Sequence, residues 1–535
     1  MTAVETDREQ AGTRARRREV PVAVLAAAVF LLSAALRMVN LGRSGDLFVD
    51  ELIYRQLGVS AGQGQFPRTA EGTFFLHPPG FFYVEAGWGK IVGLGPDLVT
   101  GVYHARLLNA ALGALTAVLV FLVVTRAGSR AAGVVAALLF AVDPYILRQN
   151  DRVMLDTQTM LLVLAGYLLL LLTVAREPLP GRPRLRAAGA GLLFGLAVLT
   201  KDPAALITVL PLLLAVALGW GPPRRLLLIS TAATLVPYGL YMVFVAGFGH
   251  LDAFWYAKSH GISRLFGTAQ ETGFNAPGAP SLAERLVDQT TTYASTYALL
   301  ALGPVALVLL LRRSRDPVIR MLSLFYVCAG LTLAFALAQG TLEEQALYLL
   351  IVPTVVVLGA ALAVLTQRSR QRRGTGSATR RRVALTAGAG FLTAVVTFAG
   401  VSYVTTRTEP DDGYARLRVY LREHVPPGSA ISSVDGGISS WALRDHYRLG
   451  TWVTPDSRLF VRARYLVVPW KVVEQGYGSV GALVTRRLAD QGKLVFAVHG
   501  RTYGELALYA LPLPHPAPVD RHPPAAAPPE APRGH

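Results

Sequence analysis

About eleven apolar runs recur between Val20 and Thr405 and then stop. Each approaches the ~20 residues needed to cross a ~30 Å hydrocarbon core. They cover Val20–Leu41, Tyr103–Thr125, Ala131–Ile146, Thr157–Ala175, Ala187–Thr200, Ala204–Trp220, Leu226–Phe248, Thr292–Leu311, Val318–Gln339, Ala346–Thr366 and Val383–Thr405. The pattern predicts an α-helical polytopic membrane protein. Two adjacent runs are divided only by "LTKDP", a tight turn in which Pro203 suits a helix start.

Two polar stretches between the runs are long. The first, Gly42 to Val102, contains "DLFVDELIY" and "FFLHPPGFFYVEAGWGKIVG"; its aromatics and its Pro and Gly breaks predict helices lying at the membrane interface rather than a further span. The fourth outer loop, beginning "GHLDAFWYAKSHGISRLFG", is similarly aromatic and charged. Beyond Asp411 the period changes to that of a soluble domain. A helix "YARLRVYLREHV", a strand "SAISSV", a strand "RYLVVP", a helix "VGALVTRRLADQG" and the strands "KLVFAV" and "LALYAL" predict a small α/β fold. The expected organisation is a basic N-terminus over 1–19, a membrane domain over 20–405, an extracytoplasmic α/β domain over 406–511, and a disordered Pro/Ala-rich tail over 512–535.

Composition agrees: 52% of the 535 residues are hydrophobic and 16% charged, with a mean hydropathy of +0.41. The net charge of +18 raises the question of nucleic acid, but its placement answers it. Basic clusters such as "RARRR" (Arg14 to Arg18), "RRSR" (Arg312 to Arg315) and "RSRQRRGTGSATRRR" (Arg368 to Arg382) fall in every second short loop. This is the cytoplasmic excess of Lys and Arg that sets topology. It predicts a multi-pass protein of the plasma (cytoplasmic) membrane with its N-terminus inside and its C-terminus outside. Nucleic acid is not an expected partner. The single cysteine, Cys328, excludes a disulfide framework and a Cys-based zinc site.

Under that topology Asp50, Glu51, His77, Arg106, Arg148, Asp151, Arg152, Asp156, Lys201, His260 and Arg264 gather at the outer face. Carboxylates beside cations suit a transfer reaction with an acidic leaving group, one taking a proton from the acceptor while the others hold a phosphate. Each residue also has a plain structural reading. Asp50 and Glu51 fit the N-terminus of an interfacial helix, His77 a turn before two prolines, Lys201 a side chain reaching the interface, and His260 with Arg264 a solvated helix face. A divalent metal at His260 and nearby carboxylates stays open, although no dense ligand spacing occurs.

The segments "DLFVDELIY", "HPPGFFYVEAGWGKIVG", "ARLLNAALGALTAVLVFLV", "DRVMLDTQTMLLVLAGYLLL" and "GLAVLTKDPAALITVLPLLL" follow one another in a familiar order. The order and spacing resemble the GT-C glycosyltransferases related to protein O-mannosyltransferases and the lipid A aminoarabinose transferase. The resemblance spans roughly Arg14 to Thr366, with "AKSHGISRLFG" and "QALYLLIVP" as looser matches. It implies a GT-C fold, a polyprenyl-phosphate sugar as donor, an extracytoplasmic acceptor, and inversion at the anomeric carbon. It further implies Asp50 as general base, with Glu51 and Asp156 as the other acids of the site. Lys201, His260, Arg264 and Arg152 would hold the donor phosphate, and Tyr54, His77, Arg106 and Tyr348 would line the pocket. Two positions depart from the family pattern: Asp202 where Gly commonly follows Leu-Thr-Lys, and Gly80 where Leu is usual after His-Pro-Pro. The reading from another class is a transporter or flippase of a lipid-linked intermediate. Such proteins place charge near the bilayer midplane, often in repeated halves, whereas here charge sits at the outer ends and no repeat is visible.

Overall fold

A computed structural model describes residues 20–95, 97–174, 182–268, 280–341, 344–371, 378–435, 437–444, 452–453 and 462–512. The N-terminal basic stretch, most of the proline-rich tail and parts of two basic loops lie outside the described residues. The chain divides into two compact units, one reaching Tyr414 and including Gly500–Thr502, the other formed by Ala415–His499 and the chain from Tyr503.

The first unit is helical. It opens with α1 (Val22–Met38), α2 (Val49–Gly62), a two-stranded ribbon of β1 (Arg68–Thr69) and β2 (Gly72–Thr73), and α3 (Gly80–Val92). Next come α4 (Leu98–Ala127), α5 (Arg130–Val142), α6 (Pro144–Asn150), α7 (Leu155–Leu171), α8 (Pro183–Thr200), α9 (Ala204–Leu218) and α10 (Arg224–Gly247). The unit continues with α11 (Leu251–Leu265), α12 (Leu282–Asp288), α13 (Thr290–Arg313), α14 (Pro317–Ala338), α15 (Tyr348–Gln371) and α16 (Ala378–Thr408). Each of the eleven apolar runs is matched by helix. By length and composition, α4, α10, α13, α14 and the segment Gln345–Gln367 are long enough to cross a membrane, while α1, α7 and α9 are shorter apolar helices.

One run was expected as a single helix and is two. Ala131–Ile146 breaks into α5 and α6, bent by 67°. Pro144 cannot donate to the preceding turn, and Asp143 caps the new helix by accepting from Tyr145 N at 3.1 Å and Ile146 N at 2.9 Å. The core of the unit includes the fully buried rings of Phe121, Phe140, Tyr167, Phe194 and Phe325. Tyr167 spends its hydroxyl on the Ile207 carbonyl, 2.8 Å away, so a polar tip enters an apolar core without an unmade bond. Helices α8 and α10 approach through Gly191 and Gly195, where an added Cβ would strike the carbonyls of Ser230 and Thr234. Small residues permit such close packing of spans.

The second unit carries a five-stranded sheet in the order β4-β3-β5-β7-β6, where β3 is Ile431–Ser433, β4 Trp452–Val453, β5 Tyr465–Pro469, β6 Lys493–Gly500 and β7 Gly504–Ala510. Strand β3 pairs parallel with β4 and β5, and β5 pairs antiparallel with β7. Val434, Leu466, Val468 and Val473 form a core beneath it. Helix α17 (Gly413–His424) and α20 (Ala482–Ala489) were expected from the sequence; β4 and the short helices α18 (Ile438–Leu443) and α19 (Trp470–Glu474) were not.

Candidate active site

Asp50 and Glu51 occupy the first turn of α2, where carboxylates meet the positive end of the helix dipole. Their surroundings differ. Glu51 is fully buried and both of its oxygens are taken. Arg106 donates from Nε to Oε1 at 2.8 Å and from Nη2 to Oε2 at 2.7 Å. Val153 N donates to Oε1 at 2.9 Å and Phe48 N to Oε2 at 3.0 Å. Arg106 uses its remaining donors on the carbonyls of Gly45, at 2.7 Å, and Asp46, at 3.0 Å. Glu51 therefore fixes three segments together. Asp50, about 100° further back around the helix, is half-buried.

The same helix face leads from Asp50 to Tyr54 one turn on. Tyr54 is buried and its ring meets His77 with centroids 6.1 Å apart; Phe74 lies 6.0 Å from the same imidazole. Burial first, then the charges of Lys201, Lys258 and Arg264, lower the His77 pKa well below its ordinary value. His77 is thus a neutral ring among cations. Arg152 is buried with its guanidinium 4.6 Å from the centroid of the Phe48 ring, a cation–π contact next to the start of α2.

Asp156 stands in the first turn of α7 and Lys201 caps the C-terminus of α8. Both are buried, and Lys201 Nζ reaches Asp156 Oδ1 at 2.7 Å. Gln158 Nε2 joins the same helices through Thr200 Oγ1 at 3.1 Å. The other carboxylate oxygen of Asp156 is buried and has no hydrogen-bond partner among the described residues. The two departures from the family pattern meet nearby. A Cβ on Gly80 would lie 2.8 Å from the Leu199 carbonyl, so glycine lets the His-Pro-Pro-Gly turn rest on the end of α8. Asp202 accepts from Lys258 Nζ at 2.6 Å and from Tyr238 Oη at 2.9 Å, so its negative charge is balanced within the structure.

Of the remaining expected residues, Tyr348 is buried and accepts from Asn150 Nδ2 at 2.8 Å. Asn150 Oδ1 in turn receives Arg37 Nη2 at 2.8 Å. Asp151 pairs with Arg407 at 2.6 Å. Arg264 and His260 both lie on α11, Arg264 half-buried and His260 exposed. The sequence reading did not single out Lys258, Tyr238, Arg37, Asn150, Arg407, Asp46 or the Arg55–Glu85 pair. Asp46 is buried beside the start of α2, where burial and the nearby Asp411 carboxylate push it up to about 8 against hydrogen bonds from Leu47 N and Tyr414 N. Glu85 on α3 is fully buried, and burial pushes it up to about 8 although Arg55 lies at 3.3 Å. Among the described residues no group of three or more His, Cys, Asp or Glu side chains is disposed to hold a metal ion.

The helices define a fold class, the polytopic membrane proteins of GT-C fold. Two solved structures share the architecture. Archaeal oligosaccharyltransferase AglB from Archaeoglobus fulgidus, in complex with an inhibitory peptide and a dolichol-phosphate, is 13% identical with a TM-score of 0.57, over 91% of this chain and 74% of that one. ArnT from Cupriavidus metallidurans, bound to undecaprenyl phosphate, is 15% identical with a TM-score of 0.57, over 91% of this chain and 97% of that one. Within the class, residues 88–259 match the dolichyl-phosphate-mannose-protein mannosyltransferase family. That segment runs from α3 to α11 and contains Arg106, Asp156 and Lys201. A comparison with curated protein sequences gives no match.

Proposed function

We propose that this chain is a membrane glycosyltransferase that moves a sugar from a polyprenyl-phosphate donor to an acceptor outside the membrane. The observation that carries the reading is the collection of Lys201, Lys258 and Arg264 around His77, on the side of α2 toward which Asp50 and Tyr54 face. Cations are suited to the phosphate of a departing donor, and a half-buried carboxylate to the proton of an incoming hydroxyl.

In this reading Asp50 is the general base. It takes the acceptor proton as the acceptor oxygen attacks the anomeric carbon, and the sugar–phosphate bond breaks with its electrons going to the lipid phosphate. A single displacement inverts the anomeric centre. Lys201, Arg264 and Arg152 stabilise the phosphate charge, with His260 at the exposed edge of the same region. The open oxygen of Asp156 accepts a hydroxyl of the sugar. Tyr54, His77 and Tyr348 line the pocket. Glu51 and Arg106 hold the start of α2 in place rather than touching the reacting atoms.

The alternation of basic loops supports a plasma membrane protein with its N-terminus inside and its C-terminal domain outside. The test combines binding and topology. The purified protein should bind a polyprenyl phosphate, and Lys201→Met should weaken that binding by about tenfold, the loss of one charge-assisted hydrogen bond. In a Cys328→Ser background, a cysteine at the exposed Ser479 should react with an impermeant thiol reagent in intact cells and one at Ser377 should not. Absent lipid binding, or the reverse labelling, would overturn the reading.

A further inference from the structure

Three segments distant in sequence meet at one amine. Lys258 Nζ donates to Asp202 Oδ2 at 2.6 Å and to the Leu76 carbonyl at 3.2 Å. Leu76 precedes His77, Asp202 follows Lys201, and Lys258 belongs to α11 with Arg264. The ammonium has three donors and no acceptor, so a single side chain can tie both neighbours to α11. Tyr238 of α10 donates to the second oxygen of Asp202 at 2.9 Å, which fixes the carboxylate from the other side.

The helix presents a defined stripe to this junction. A Cβ on Gly261 would lie 3.3 Å from Leu76 Cδ1, so the Gly261 side of α11 rests against Leu76. Lys258 and Gly261, three apart, are neighbours on that face, and Arg264 follows Gly261 by three. His260, one turn before Arg264, is exposed, whereas Arg264 is half-buried. Of the two residues the sequence pattern singles out on α11, Arg264 is the one whose charge acts on His77.

We propose that Lys258 is a positioning residue, a latch that holds α11 against the Leu76–His77 and Lys201–Asp202 turns and so sets Arg264 opposite Lys201 for an anionic lipid headgroup. The proposal rests on the functional reading above for the identity of that headgroup. The latch itself does not. Asp202 is the other half of the device: its charge balances Lys258, as the charge of Asp156 balances Lys201.

The test separates the latch from the ligand. Hydrogen exchange is followed on the full-length protein in nanodiscs, together with binding of farnesyl phosphate, for wild type, Lys258→Met, Lys258→Arg and Asp202→Asn. Loss of the latch should speed exchange over Leu251–Leu265 by about fivefold or more while leaving Thr290–Arg313 unchanged, because opening is local to the element whose contacts are lost. Farnesyl phosphate affinity should fall by about tenfold in Lys258→Met and recover in Lys258→Arg, whose guanidinium can serve both acceptors. If Lys258→Met does not fold, Asp202→Asn carries the same expectation, since it removes the ion pair and keeps a group for Tyr238. Unchanged exchange over α11 overturns the latch, and faster exchange with undiminished affinity overturns its role in placing Arg264. A wild-type protein without affinity for farnesyl phosphate overturns the headgroup assignment and with it the positioning role.

Discussion

Arg106 grips Glu51 with two parallel hydrogen bonds, 2.8 and 2.7 Å long, and neither side chain is reached by solvent. The geometry separates two carboxylates that the sequence sets side by side. Removing the guanidinium alone leaves a buried charge without its counterion, which costs about 3–5 kcal/mol. Arg106→Ala should accordingly lower the melting temperature in detergent sharply or prevent accumulation. Arg106→Lys should recover only part of the loss, because an ammonium cannot form the paired contact. A melting temperature near wild type in Arg106→Ala would mean that Glu51 is not held as described.

The Asp156–Lys201 contact of 2.7 Å joins residues that were expected to act on different parts of a substrate. As a buried pair, each member should be more damaging to lose alone than together with the other. A double-mutant cycle of Asp156→Asn and Lys201→Met, read by thermal unfolding, should give a coupling of about 0.5–3 kcal/mol. Additive effects would show that the two side chains are independent in the resting protein.

Glu85 supplies a pH dependence with a definite sign. Its pKa is raised by burial from 4.5 to about 8, so the folded state holds this proton more tightly than the unfolded chain does. Its contribution to stability is fully present below the unfolded pKa and is lost as pH rises through about 8. Asp46 follows the same direction. The melting temperature should therefore fall from pH 6 to pH 9, and the fall should be smaller in Glu85→Gln, which has no proton to lose. Equal slopes in the two proteins would remove Glu85 as a source of the effect.

The helices were legible because a long apolar run has few other ways to satisfy its backbone in lipid, and the ends of α8 and α9 at "LTKDP" were legible from a proline. The α5–α6 break was missed although "DP" marks it: hydropathy continues across Asp143 and Pro144, and a window that averages over the run hides a change of direction. The partners in the site were not legible for another reason. Glu51 and Arg106 are 55 positions apart, Asp156 and Lys201 45, and Asp202 and Lys258 56. Nothing local encodes which cation meets which acid. Asp202 and Gly80 depart from the family pattern for reasons that lie far off in sequence: Lys258 balances the Asp202 charge, and the Leu199 carbonyl occupies the space a side chain at Gly80 would need.

In the proposed function Asp50 is the general base, while Glu51 is clamped by Arg106 and Asp156 is paired with Lys201. Asp50→Asn keeps the shape and most hydrogen-bonding capacity of the side chain and removes its ability to take a proton. Transfer should fall by about 10²–10⁴-fold, the usual contribution of a general base, while folding and lipid binding persist because the residue is only half-buried. The measurement is single-turnover consumption of radiolabelled polyprenyl-phosphate sugars by membranes that contain the acceptor, with donor saturating, in wild type, Asp50→Asn and Glu51→Gln. The base assignment predicts that Asp50→Asn accumulates normally and is slow at every donor concentration, whereas Glu51→Gln loses activity in step with loss of folded protein. Near-normal transfer by Asp50→Asn would remove the base from this position and leave Asp50 as a helix-start residue. A well-folded but inactive Glu51→Gln would show that the buried acid takes part in the chemistry despite its clamp.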